Sequence, residues 1–319
     1  MNQPPEVLCA GIVVADHVST PIDHLPHAGE LVTADHLLLT IGGCAANAAV
    51  DLAKMEVRAA VVGRVGRDVF GKVVADMLRD RGVDVSLLQT SDQSDTSQTL
   101  IINVKGEDRR FVHAFGANAE FSASDIPTDQ ARQCKVLYVG GYLIMDNVKQ
   151  DELAEVFADV RRHGVKTVLD VATPGPGDYR SRLDQLLPHV DVFLPNNHEA
   201  ELITGEKEPV KQAELFHRMG AGTAVITMGG DGSVLVSEKT RLRAGVFSVP
   251  FLDGSGGGDA FDAGYICGLL RGLPTEDCLR YASALGASCV RAIGTTPGVF
   301  TRGECEEFLG QQTLKIERM

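Results

Sequence analysis

Apolar positions along the chain alternate between two rhythms. Short, mostly apolar runs lie at 7–14, 59–65, 136–139, 167–170, 192–194 and 224–227. They lack the wet face of an exposed strand and are too short for helices, so they predict strands buried on both sides. Between them, 45–54, 73–81 and 151–162 carry helical spacing, the last two followed by Gly82 and Gly164 as stops. Further on, Phe261, Tyr265, Ile266, Leu269 and Leu270 share one helical face before Gly272. Strands alternating with helices predict an α/β fold: a central, mostly parallel sheet with helices on both faces.

Two stretches break the rhythm. Residues 99–104 and 110–115 are β-rich runs joined by Lys105-Gly106-Glu107-Asp108-Arg109, a hairpin pattern. Residues 17–40, with Pro21, Pro26 and Gly29, have no helical period. Together the insertions at about 17–40 and 97–116 predict a small β-sheet laid over the main domain as a lid. No repeat or linker divides the chain, so 1–319 is expected to be a single domain. The free strand edges of such a lid invite pairing with a second copy of the chain as a homodimer.

Composition narrows the partners. With 44% hydrophobic residues in 319, a large core is available. A formal charge of −13 without any basic block argues against a nucleic-acid partner. It leaves room for a nucleotide, whose phosphates can be held by backbone amides and a metal. The seven cysteines are scattered and odd in number, the pattern of reduced thiols in a cytoplasmic protein. No apolar run is long enough to span a membrane, and the polar start of the chain does not resemble a signal peptide, so no membrane association is expected.

The densest chemistry is Asp253-Gly254-Ser255-Gly256-Gly257-Gly258-Asp259, running into a helical pattern. The first turn of a helix leaves its amides unpaired, glycine lets a ligand approach them, and the helix dipole favours an anion there. Asp259 places a proton acceptor at the same spot, the combination that phosphoryl transfer to a hydroxyl requires. Other candidates are Gly42-Gly43 leading to Asn47, Asp16 after the first apolar run, Asn196 and Glu199 in Pro195-Asn196-Asn197-His198-Glu199, the turn holding Thr227, Gly229 and Gly232, and Gly116-Ala117-Asn118. Gly66 to Val73 is one residue short of a Walker A loop, with Val73 where the magnesium-binding hydroxyl belongs, so this stretch is not expected to bind nucleotide.

These motifs, in this order and over almost the full length, resemble the ribokinase-like family of carbohydrate kinases, the phosphofructokinase-B type. The resemblance implies ATP-dependent phosphorylation of a sugar hydroxyl, with Asp259 as catalytic base and the amides of Gly256, Gly257 and Gly258 as anion hole. It implies a sugar held by Asp16, Gly42, Gly43, Asn47 and Asn118. ATP would lie against Asn196, Thr227, Gly229, Gly232 and the glycine loop, and Mg2+ would be held through water by Asn196 and Glu199. A loop at 292–298 stands where many members help hold a monovalent cation, which leaves K+ open, with Asp253 as one donor. Arg109 or Arg110 would reach the substrate. Asp259 is expected to stay ionised at its helix N-terminus, as a weak base. Ribose, fructose, a keto-deoxy sugar acid and a nucleoside all fit. Asp170-Val171-Ala172-Thr173-Pro174 lacks the Asn and Arg that some members carry there. A non-catalytic sensor on the same fold and a nucleoside kinase are the alternatives. A dinucleotide-dependent oxidoreductase ranks last, because no Gly-x-Gly-x-x-Gly follows the first strand.

Overall fold

The apolar run at 7–14 is divided between two sheets. In the computed structural model, which describes residues 3–107 and 109–319, β1 (Val7–Gly11) belongs to a ten-stranded sheet and β2 (Val14–Ser19) to a four-stranded one. Only Ile12 and Val13 join them. The single expected strand is thus corrected to two, and the small sheet begins at Val14 rather than near residue 17. Both sides of the joint are apolar because β1 is buried throughout and β2 nearly so, which is why the run looks continuous in the sequence.

The chain continues through β3 (Leu37–Gly42), α1 (Cys44–Lys54), β4 (Ala59–Gly66), α2 (Val69–Asp80), β5 (Leu88–Ser91), β6 (Gln98–Ile102) and β7 (Arg110–Ala114). Then come α3 (Thr128–Ala131), β8 (Val136–Gly140), α4 (Gln150–Arg162), β9 (Lys166–Leu169), β10 (Val192–Phe193), α5 (Asn197–Thr204) and α6 (Pro209–Arg218). The last part holds β11 (Thr223–Thr227), β12 (Ser233–Ser237), β13 (Arg241–Ala244), α7 (Gly257–Leu270), α8 (Thr275–Cys289), α9 (Arg302–Gln311) and β14 (Ile316–Arg318).

The large sheet runs β14-β13-β12-β11-β10-β9-β8-β1-β4-β5. It is parallel from β11 through β5 and antiparallel at β12, β13 and β14. Alternation along β1 separates two cores: Val7 and Cys9 face α1, α7 and α8, while Leu8 and Ala10 face α4, α5 and α6. The expected α/β layers are present. Sequence periodicity missed β5, β13 and β14, which are short or edge strands, and placed the start of α2 late. Asp68 starts α2 by accepting from the Gly71 amide, and it also accepts from the Thr96 amide and hydroxyl. A carboxylate therefore already fills the helix end where a Walker phosphate would sit. Lys72 pairs instead with Asp76 at the surface.

The small sheet runs β3-β2-β6-β7, with β2 and β6 parallel and the outer pairs antiparallel. Asn118 fixes it to the main sheet at the joint. Its Oδ1 accepts from Val13 N at 3.1 Å and its Nδ2 donates to Val13 O at 3.0 Å. Gly11 has φ 136° beside Gly140 in β8, and a Cβ there would lie 2.2 Å from the Gly140 carbonyl oxygen. Gly11→Ala is therefore expected to lower stability by about 2–4 kcal/mol, combining backbone strain and overpacking. Urea unfolding of the variant checks this, and an unchanged midpoint would contradict it.

Candidate active site

Gly256 precedes α7 with φ 75°, and a Cβ on it would lie 2.2 Å from the Thr295 carbonyl oxygen. This tight contact lets the loop enter the helix with its amides facing outward. Among the described residues the amides of Gly256, Gly258 and Asp259 find no acceptor, and that of Gly257 has only a 3.4 Å bond to Gly254 O. They border a cleft of about 510 Å³ lined by Gly257, Gly258, Asn196, Thr227, Gly229 and Gly232, among others. The glycine loop and the β11 turn, far apart in sequence, thus share one cleft.

Asp259 stands beside that cleft in the first turn of α7, partly accessible yet ringed by protein. Its Oδ2 accepts from Asn47 Nδ2 of α1 at 2.8 Å. Cys44, Asp170 and Asp259 bring their ligating atoms within 4.8 Å of one another. Burial is the first cause that raises the Asp259 carboxyl above the usual range, against the hydrogen bonds from Asn47 and Cys44. Desolvation acts against the helix dipole here and makes Asp259 a stronger base than the helix end alone would give. Asp170 and Asp262 are likewise raised well above normal by burial, Glu199 is pushed up to about 7, and Cys44 is raised by burial and by Asp259. Tyr138 donates to Asp262 Oδ2 at 3.0 Å. Sequence reasoning gave no site role to Cys44, Tyr138, Asp170 and Asp262; a polar residue inside an otherwise apolar run was the available signal for the last three.

On the small-sheet side, Asp16 lies inside β2, not at the end of the first strand, because that run changes sheets before it. Gly42 makes room for it: a Cβ there would meet the Asp16 carboxylate at 2.0 Å. Register places Thr40, Asp16, Thr99 and His113 in one row across the sheet. Burial pushes Asp16 up to about 7, against a hydrogen bond donated by Thr99. When Asp16 is ionised and accepts from Thr99, the 2.9 Å contact between Thr99 Oγ1 and His113 Nδ1 has Nδ1 as its donor. His113 Nε2 is left as a buried acceptor without a partner among the described residues. Burial lowers its pKa and keeps it neutral. Gly43 caps α1 at the start of the turn that carries Asn47.

Asn196 and Glu199 form a reciprocal cap on α5. Asn196 Oδ1 accepts from the His198 and Glu199 amides, and Glu199 Oε2 accepts from Asn196 N at 2.9 Å. Asp253 uses both oxygens: Oδ1 accepts from Ser255 N and from Arg109, and Oδ2 accepts from Gly294 N. Arg109 also donates to Ser255 Oγ at 2.6 Å, whereas Arg110 pairs with Glu107. Of the two arginines it is Arg109 that reaches the glycine loop. Lys54 donates to the carbonyls of Thr296, Pro297 and Val299, placing an ammonium at the late loop for which the resemblance left K+ open.

Comparison with known proteins gives the family of the chain. The profile of the pfkB family carbohydrate kinases matches residues 4–302. A ribokinase of Haemophilus influenzae is 31% identical over 94% of this chain and 96% of its own length. A 2-dehydro-3-deoxygluconokinase of Bacillus subtilis is 28% identical over 85% of this chain and 87% of its own. Among solved structures, Arabidopsis thaliana ribokinase complexed with ribose and ATP superposes with a TM-score of 0.82 at 24% identity, covering 96% of this chain and 99% of that one. The chain belongs to the pfkB family of carbohydrate kinases. It is a phosphotransferase that acts on an alcohol group of a sugar or sugar-like substrate.

The buried acids carry a stability signature. Asp16 and Glu199 titrate near 7 in the folded chain, against about 4 when unfolded. The folded state holds protons that the unfolded chain has released, so stability falls as pH rises from about 5 to about 7. His113 opposes this below its unfolded value of about 6.5, one group against several. Scanning calorimetry is expected to give a lower Tm at about pH 7.5 than at about pH 5.5, with a loss on the order of 1–3 kcal/mol. A Tm that rises across this window would contradict the raised carboxyls.

Proposed function

We propose that this kinase uses ATP to phosphorylate a hydroxyl of a neutral sugar, with Asp259 as the base and the amides of Gly256, Gly257 and Gly258 as the anion hole. One observation carries the reading: unpaired first-turn amides and a carboxylate anchored by Asn47 meet at the edge of one glycine-lined cleft. The solved relative complexed with ribose and ATP supports the two ligand classes.

The roles follow from position. Asp16 accepts sugar hydroxyls, and Gly42 and Gly43 let the sugar approach the backbone. Asn47 fixes Asp259 against the reacting hydroxyl. Asn118 acts from behind, since its side chain is spent on Val13. Thr227, Gly229 and Gly232 line the nucleotide side, with Asn196 beside them. Glu199, with Asn196 fixing its turn, fits a magnesium ion reached through water, because a hard cation favours carboxylate and amide oxygens. Magnesium, when bound, would neutralise phosphate charge. Asp253 is committed to the loop, so a monovalent cation there would depend on backbone carbonyls.

Catalysis then needs little covalent participation from the protein. The hydroxyl proton passes to Asp259 as its oxygen attacks the γ-phosphorus, while the bond from that phosphorus to the β,γ-bridging oxygen breaks and ADP leaves. Burial makes this carboxylate a stronger base than an exposed one. The loop amides hold the charge on the transferring group in place through the transition state. The small sheet, closing over the sugar, would keep water from competing.

The polar row on that sheet selects the sugar. It presents the Asp16 carboxyl as acceptor and no cation. Hydroxyl donors satisfy it; a carboxylate or phosphate group in the same place meets an acidic neighbour and no cation in the row. A coupled ADP-release assay with ATP and magnesium is expected to show turnover on neutral sugars such as ribose or fructose, and little on a keto-deoxy sugar acid or a sugar phosphate. Preference for the charged sugars would overturn the specificity, and silence across the panel would overturn the neutral-sugar kinase reading.

Asp259→Asn is expected to retain binding of ATP and sugar while kcat falls by about 10²–10⁴-fold, the usual worth of a general base. Calorimetric binding and steady-state kinetics on one preparation check it. A variant with wild-type kcat would remove Asp259 from proton transfer.

A further inference from the structure

Asp51 lies on α1 one turn beyond Asn47 and has no accessible surface. Neither carboxyl oxygen has a hydrogen-bond partner among the described residues, and the same holds for the buried Oδ1 of Asn47. Three buried acceptor oxygens, one helical turn apart on α1, thus lack a donor, and one of them belongs to the amide that bonds Asp259. Side chains four apart on a helix are neighbours. The groups that face Asp51 are Cys9 from β1, Asp259 and Cys267 from α7, Cys289 from α8, and Lys54 from α1 itself. Lys54 cannot neutralise it by contact, because its ammonium is held by the carbonyls of Thr296, Pro297 and Val299.

An ionised carboxylate in this position would be a buried charge with neither ion pair nor hydrogen bond, which folded proteins avoid. A proton on it resolves the imbalance, because a carboxylic acid is a donor as well as an acceptor. We propose that Asp51 is a positioning residue held as the neutral acid, its hydroxyl donating to Asn47 Oδ1 and so turning the Asn47 amide nitrogen toward Asp259. The orientation of this amide matters. Flipped, Asn47 would present its oxygen to the Asp259 carboxylate, and two acceptors would face each other at the reacting centre. The burial that favours the protonated form acts in the same direction.

This proposal rests on Asp259 being the base; Asp259→Asn tests that reading, and the experiment here tests Asp51 separately. Wild type, Asp51→Asn and Asp51→Leu are unfolded in urea between about pH 6 and 8 and assayed with ATP and the best neutral sugar. If Asp51 is neutral when folded and ionised when unfolded, wild-type stability falls with pH more steeply than that of Asp51→Asn, by one proton. The ratio of their folding constants then changes by about tenfold per pH unit. Asn can still donate to Asn47 Oδ1, so Asp51→Asn should keep about a third or more of the wild-type kcat, while Asp51→Leu loses about tenfold or more with KM for ATP unchanged. Equal pH slopes, wild-type kcat in Asp51→Leu, or equal damage in the two variants would each overturn the proposal. Should Asp51→Leu not fold, the proton count and the kcat of Asp51→Asn still decide the matter.

Discussion

The bond from Asn47 Nδ2 to Asp259 Oδ2 joins the first turns of two helices that are 212 residues apart in the chain. Each helix begins at a glycine-rich turn, Gly42-Gly43 for α1 and Gly256-Gly257-Gly258 for α7. Both helices lie on the same face of the large sheet and share one core. On the roles proposed, their packing sets the distance between the sugar side and the phosphate side, and the polar bond fixes the rotation of the carboxyl. A helix pair held only by apolar contact would allow the shifts of a few tenths of an ångström that matter to a proton transfer.

Electrostatic cost is concentrated around that bond. Asp16, Asp51, Asp170, Glu199, Asp259 and Asp262 all have carboxyls raised by burial. Such clustering of like-charged groups in one desolvated region is seldom stable for its own sake. It fits a site that receives the positive charge of a metal and the hydroxyl donors of a sugar. The protein supplies its own cations sparingly. Arg109 reaches Asp253 and Ser255, and Lys54 serves the carbonyls of the late loop.

Much of this was legible in the sequence. The layer order followed from the alternation of apolar runs with helical spacing, and the glycine loop with Asp259 followed from the local chemistry of helix ends. What escaped did so for identifiable reasons. The run at 7–14 has one composition on both sides of a sheet change, so no period could show the break, and Asp16 was misplaced with it. The row from Thr40 to His113 depends on strand register, which single-sequence patterns leave open. Asp51 sits in a helix whose neighbours are alanine, valine and leucine, and only coordinates show that its oxygens lack partners. Asn118 was singled out for its motif, yet its amide is occupied by Val13.

The Ile12-Val13 joint has a mechanical consequence. Two residues cannot let one sheet drift independently of the other, and Asn118 grips the backbone of the second. Any turn of the small sheet against the large one therefore has its axis near Val13. Strand β7 lies two strands from β2, but Arg109 just before it is bonded to Asp253 and Ser255, so an arc swept by β7 has to part those bonds first.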